Sequence, residues 1–358
     1  MKEPNSRVRP YQGIRLIACL CIILLHCYSA RFDRAAAWGV SFFFSVSGFL
    51  YGLRCREKDL PVKETPGFLL DKLKKIYPVF LLTNLLALPF ELTVKPVGQA
   101  FTELGVTLSL VQAWSPRLAD MYLGSTWFIS SILFLYLMTP LLVTGFKALR
   151  RRFGTAGLSA VCVLSALACV LIPVLAGKAE GDPTFRIYTF PPARLPEYAL
   201  FLAAGLMIPE GQGSGQTGNG LAVDLGYLAA AGLLAVLFFL PQIPRPFSRV
   251  VLWTVPNTAL LLLGLRNAGT VNRLLSGTVP VYLGGLGLSM YLFHPVIFVY
   301  TTFWNDFWDS ARILRVLCFL GILALTVLCA VLTDRVQAGL RRRNARSGKG
   351  RRGRNNRP

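Results

Sequence analysis

Read for hydrophobic and polar positions, the chain alternates apolar runs of roughly 17 to 25 residues with clusters of basic residues, the spacing of membrane-crossing helices and the loops that orient them. The first run, 14 to 30, follows a tail with Lys2, Arg7, Arg9 and Arg15 against Glu3, so it should lead outward from the cytoplasm. Helix two, 38 to 54, returns to a strongly basic stretch with Arg54, Arg56, Lys58, Lys63, Lys72, Lys74 and Lys75. Helix three, 76 to 94, leads outward again. The next basic cluster, Lys147 and Arg150 to Arg152, follows a run from Trp127 to Phe146.

Between these lies the apolar piece Phe101 to Trp114. A crossing there would put the Arg150 cluster on the wrong side, and fourteen residues are too few for an untilted span. It is expected to be re-entrant or to lie at the outer interface. Further spans at 157 to 177, 196 to 209, 221 to 241, 250 to 265, 280 to 303 and 313 to 333 keep the parity. The expectation is an all-α, polytopic membrane helix bundle with about ten transmembrane helices and both termini cytoplasmic. It divides into a basic tail (1–13), a membrane domain (14–335) and a tail (336–358). The last carries nine basic residues from Arg341 onward without an acid, and is expected to be disordered. Anchoring on anionic membrane lipid, at about 1 kcal/mol per basic residue, suits it; an RNA or partner site is the alternative. The Gly-rich stretch Glu210 to Gly220 lacks the G-K-[ST] ending of a phosphate loop and reads as a cytoplasmic connector.

Composition agrees with this picture. Of 358 residues, 54% are hydrophobic and 15% charged, which suits the bilayer as main solvent. A net charge of +21 would ordinarily raise nucleic acid, but the basic residues sit where topology signals belong, so no nucleic-acid partner is expected. The eight cysteines lie mostly inside apolar runs with no C-x-x-C pair, and read as small packing residues. With only two histidines, His26 and His294, a His-rich metal site is ruled out and no metal is expected.

Those two histidines carry the candidate chemistry. Arg15 and His26 are eleven residues apart, which returns to nearly the same helix face about 16 Å along the axis. Cys19 and Ile22 complete the stripe. Polar groups inside a membrane helix are costly and tend to be functional. A secretory signal peptide shares the basic start and short apolar stretch, but Tyr28, two before Ala30, spoils its small-residue site. In the ninth helix Gly284, Gly287, Tyr291 and His294 share a face, and rise per residue puts His294 at a depth similar to His26. A buried histidine hydrogen-bonded between helices is the alternative for His294.

The pattern Gly13-Ile-Arg15 with ten residues before His26, then Phe-Phe-Phe-Ser-Val-Ser-Gly-Phe-Leu (42–50), Lys-Lys-Ile-Tyr-Pro (74–78), Trp-Phe-Ile-Ser-Ser-Ile-Leu-Phe-Leu-Tyr-Leu-Met-Thr-Pro-Leu-Leu (127–142), Arg-Leu-Pro-Glu-Tyr (194–198) and Ser-Met-Tyr-Leu-Phe-His-Pro (289–295) resembles the acyltransferase family 3 membrane proteins. The resemblance runs from about residue 11 to 335. It implies ten membrane helices and transfer of an acyl group, usually acetyl, from acetyl-CoA or another acyl-CoA to a hydroxyl of a cell-envelope glycan or related acceptor. The family's arginine and histidine of the first helix match Arg15 and His26. Its usual pair of arginines before Ile-Tyr-Pro is here Lys72 and Lys74, with Lys75 beside them. Lysine keeps the charge and loses the planar fork.

Read from the chemistry, His26 is the candidate general base for an acceptor hydroxyl. Arg15 with Lys72, Lys74 and Lys75 is the candidate holder of the CoA phosphates. Glu197, beside Arg194, is a candidate to orient His26 or bind acceptor hydroxyls, against an interfacial Arg–Glu pair that anchors the helix. His294 is a second catalytic candidate. Trp127 reads as an interface residue or a sugar platform. The rival function is a transporter or exporter of a small or acylated metabolite on the same scaffold. The acceptor, the acyl group and the oligomeric state are not readable from the sequence.

Overall fold

The computed structural model describes residues 9–119, 121–176, 185–209, 219–240, 243–244, 247–301 and 312–354. The described residues are overwhelmingly helical and contain no strand. In chain order the helices are α1 (Arg9–Cys27), α2 (Asp33–Glu57), α3 (Thr65–Val94), α4 (Val97–Leu108), α5 (Pro116–Ala119), α6 (Trp127–Ala176), α7 (Leu195–Met207), α8 (Gly220–Phe239), α9 (Thr254–Leu263), α10 (Thr270–Leu275), α11 (Thr278–Gly285), α12 (Gly287–Thr301) and α13 (Arg312–Arg354). Among the described residues six helices are long and apolar enough to cross a membrane, or seven if α11 and α12, bent by 63°, form one span.

One of the six is in fact a hairpin. At 50 residues α6 would span about 75 Å if straight, far more than a bilayer needs. Gly154 breaks it with φ 61° and ψ −147°, and a Cβ on Gly157 would lie 2.9 Å from the Leu149 carbonyl oxygen. Eight residues of straight helix would separate those positions by about 12 Å. The chain therefore turns back at the Arg150 cluster, between the two spans that the apolar pattern separates. The predicted spans 196–209 and 250–265 form the shorter α7 and α9, which length alone does not make crossings.

Contacts sort the loops to two ends. At one end Lys147 donates to Asp59, Arg150 to the Leu206 carbonyl (2.9 Å) and Arg56 to the Pro209 carbonyl (2.7 Å). The Lys147 ammonium holds the Asp59 carboxyl below the usual carboxylate range. At the other end Arg34 reaches the Leu237 and Leu240 carbonyls and Asp33 pairs with Arg249 at 2.9 Å. The charge parity implies this grouping.

The segment after α3 folds back along it. Lys95 bridges Glu91 (2.7 Å) and Glu103 (2.6 Å), Tyr122 donates to the Asn84 carbonyl (2.7 Å) and Tyr77 to the Leu108 carbonyl (3.1 Å). These place α4 antiparallel to α3 before the chain enters α6.

One expectation about the ends changes, and two stretches lie outside the described residues. The Glu210–Gly220 connector falls, through residue 218, outside the described residues, as do residues 1–8 of the amino-terminal tail. The carboxy-terminal segment is not irregular from 336: α13 runs on to Arg354, with residues 355–358 outside the described set.

Helices α2 and α7 pack closely through glycine. A Cβ on Gly52 would stand 2.2 Å from the Leu202 carbonyl oxygen, and one on Gly205 2.3 Å from that of Phe49. Only glycine admits that approach, the usual device for packing helices where the solvent gives no hydrophobic drive. Gly52→Val should therefore cost about 3 kcal/mol or more, the upper end for overpacking, and lower the Tm of detergent-purified protein. Gly67→Ala, with open space around it, should leave Tm in place. Equal Tm for Gly52→Val and wild type would contradict the close α2–α7 contact.

Candidate active site

The α1 stripe faces the bundle interior. Cys19 and Ile22 are buried, and the Cys19 thiol donates to the Gly287 carbonyl at 3.5 Å. Glycines let α1 sit deep: Gly284 of α11 has no room for a Cβ against the Gln12 carbonyl. The two ends of the stripe open into two separate cavities.

His26 is exposed to a cavity of about 410 Å³, walled also by Asp33, Arg249, Tyr122, Trp127, Tyr188 and Tyr291. Its ring lies 5.2 Å, centroid to centroid, from that of His294. His294 is fully buried. The two histidines of the chain, 268 positions apart, thus meet at one depth.

Arg15 opens on a smaller cavity of about 230 Å³ with Lys72, Lys75, Ser47, Phe128, Tyr136 and Tyr291. The Arg15 Nε is buried without a hydrogen-bond partner, a donor free to meet an anion. The Lys72 Nζ stands 4.8, 5.2 and 5.1 Å from the ring centroids of Tyr51, Phe68 and Tyr136. Three ring faces hold this ammonium in place while desolvating it in part.

Three sequence expectations need correction. Lys74 is exposed and does not line the Arg15 cavity. Lys72 and Lys75, three apart, share a helix face, and Lys74 falls off it. Glu197 lines neither cavity. It is 1% exposed, pairs with the fully buried Arg194 at 2.9 Å and accepts from Ser41 and, at 3.4 Å, from Ser45. Asn257 donates to both serines, at 3.2 and 3.0 Å, and takes the Trp38 indole N–H at 2.9 Å. The Arg194–Glu197 pair is therefore neither interfacial nor beside His26; it belongs to a polar network joining α2, α7 and α9. Pro191, Pro192 and Pro196 start α7 so that Glu197 meets the Ser41/Ser45 face of α2. Trp127 is 7% exposed and lines the His26 cavity, its ring 4.9 Å from that of Tyr188.

Sequence reasoning missed Asp33 and Arg249. Their pair is in the His26 cavity wall, with the Arg249 guanidinium 5.0 Å from the Tyr188 ring centroid. A faint signal existed: each is a charge stranded next to an apolar run at the end where basic clusters are absent. Tyr291, which borders both cavities, carried no signal beyond its helix face.

Fold and site together define a multi-pass helical membrane protein with His26, backed by the buried His294, on one cavity and a cationic group on another. A family model described as an acyltransferase domain matches residues 11–335. The chain belongs to acyltransferase family 3 and is an acyltransferase enzyme. Comparison with curated proteins and with solved structures finds no match.

Breaking the buried Arg194–Glu197 pair leaves an uncompensated charge, so Glu197→Gln should destabilise by about 3–5 kcal/mol. Thermal unfolding of purified protein measures this. Because Glu197 faces neither cavity, turnover per folded molecule should stay within a few fold of wild type. A loss of turnover by a hundredfold with Tm unchanged would return Glu197 to the chemistry.

Proposed function

We propose that the protein is a membrane O-acyltransferase that takes an acyl group, acetyl in the first instance, from acyl-CoA in the Arg15 cavity. It passes this group to a hydroxyl of a cell-envelope glycan or related acceptor in the His26 cavity. The observation that carries the reading is that one helix presents a buried guanidinium to one cavity and an imidazole to the other, with Tyr291 bordering both. The basic clusters around Arg54–Lys75 and Lys147–Arg152 support a reading with the Arg15 end in the cytoplasm, where acyl-CoA is made, and the His26 end outside a cell membrane. Both termini are then cytoplasmic and the spans number ten.

In this reaction the acceptor oxygen attacks the thioester carbonyl carbon while His26 takes the hydroxyl proton. The C–O bond forms, the C–S bond breaks, and the proton goes from His26 to the CoA sulfur as the thiol leaves. His294, against the His26 ring, fixes that ring's place. Arg15, caged Lys72 and Lys75 bind donor phosphates as charge-assisted partners. Asp33, Arg249, Tyr188 and Trp127 supply the mix of polar groups and aromatic faces that suits a hydroxyl-rich acceptor.

His26→Ala should leave the protein folded and reduce acyl transfer by about 10² to 10⁴. His26→Gln should fare little better, since an amide cannot take the proton. The assay is transfer of labelled acetyl from acetyl-CoA to a glycan acceptor per monodisperse protein; near-wild-type turnover in His26→Gln would remove His26 as base. No transfer by wild type to any hydroxyl acceptor, alongside movement of a metabolite across vesicles, would favour transport instead. For the donor site, Lys72→Ala with Lys75→Ala should raise KM for acetyl-CoA at least tenfold, at about 1.5 to 3 kcal/mol per charged contact. Lys74→Ala should leave KM unchanged, and equal effects from Lys74 would put the donor elsewhere.

A further inference from the structure

The Arg15 and His26 cavities are bordered in common, among the described residues, by Tyr291 alone. Its ring is 4% exposed and lies 5.1 Å from Phe128, which borders the Arg15 cavity, and 5.6 Å from His294. Its hydroxyl donates at 2.6 Å to the Ser125 carbonyl in the wall of the His26 cavity. Gly284, Gly285 and Gly287, around the bend of 63° between α11 and α12, also border the Arg15 cavity. The phenol is thus tethered at its tip and flanked by Phe128, at the border where the two spaces meet and where an acceptor oxygen would reach the donor's acyl carbon beside the ring.

We propose that Tyr291 is a specificity-determining residue: its ring ends the donor's space and limits the acyl group to about the size of acetyl. The inference rests on the acyl-transfer reading above and adds the residue that selects the acyl group. At about 230 Å³ the Arg15 cavity is smaller than the roughly 300–1,000 Å³ typical of small-ligand sites. A donor's thiol arm ending in a thioester leaves little volume over. With the thioester at the shared border, a longer acyl chain meets the Tyr291 ring, and one methylene in an apolar pocket discriminates about tenfold or more.

The test measures transfer from acetyl-, butyryl- and hexanoyl-CoA by full-length protein in lipid nanodiscs. Wild type should favour acetyl. Tyr291→Ala should raise the butyryl-to-acetyl turnover ratio at least tenfold, and Tyr291→Phe, which keeps the ring, should leave the ratio near wild type. Tyr291→Leu serves in place of alanine if the smaller residue does not yield monodisperse protein. A ring that only packs α12 would, when truncated, lower yield and leave the ratio fixed; that result overturns the proposal, as does a wild type indifferent to chain length. Wild type inert with every acyl-CoA would instead overturn the acyl-transfer reading beneath it.

Discussion

Everything in the site depends on α1 being one unbroken helix locked deep in the bundle. A helix rises about 1.5 Å per residue, so Arg15 and His26 are held about 16 Å apart on one stripe regardless of what surrounds them. The lock is steric. Gly39 meets the Ala18 carbonyl, Gly13 the Leu275 carbonyl and Gly284 the Gln12 carbonyl, each at a distance no Cβ tolerates. With α1 so placed, the guanidinium and the imidazole open on separate cavities and the His26 ring meets His294. Shift α1 by one turn and both relations are lost.

A second constraint works at right angles to the first. Arg194, Glu197, Ser41, Ser45, Asn257 and Trp38 form a polar network of buried side chains. In a low-dielectric interior such groups are costly unless paired, which makes their relative placement of α2, α7 and α9 close to unique. The Arg194 guanidinium also lies over Phe44 at 4.6 Å and Tyr188 at 5.4 Å. Through Tyr188 the structural network touches the His26 cavity without any of its carboxylate oxygens entering it. Polar residues in this membrane domain therefore divide into a group that sets geometry and a group that faces open space.

That division explains what was legible in the sequence. Properties carried along one helix were readable: the apolar runs, the stripe of Arg15, Cys19, Ile22 and His26, and the break between the two halves of α6. That the stretch around Phe101–Trp114 is not a full crossing was argued from charge parity, and the common depth of His26 and His294 from rise per residue. Properties that depend on how helices rotate against one another were not. Glu197 looked like a partner for His26 because both are polar residues near the same end, yet α7 turns it toward Ser41 and Ser45. Lys74 was grouped with Lys72 by adjacency, while helical periodicity separates them. The three rings around Lys72 come from α2, α3 and α6, and no periodicity within one segment announces a cage built by three.

The central claim is that an acyl group enters at the Arg15 end and leaves at the His26 end of the same molecule. Sealed vesicles holding the protein with its Lys72 end inward, loaded with acetyl-CoA labelled in the acetyl group, test it most directly. The account predicts that labelled ester accumulates on a glycan acceptor supplied only outside, that free CoA stays inside, and that Arg15→Ala abolishes both. Labelled ester formed only when donor and acceptor share the inner compartment would contradict it.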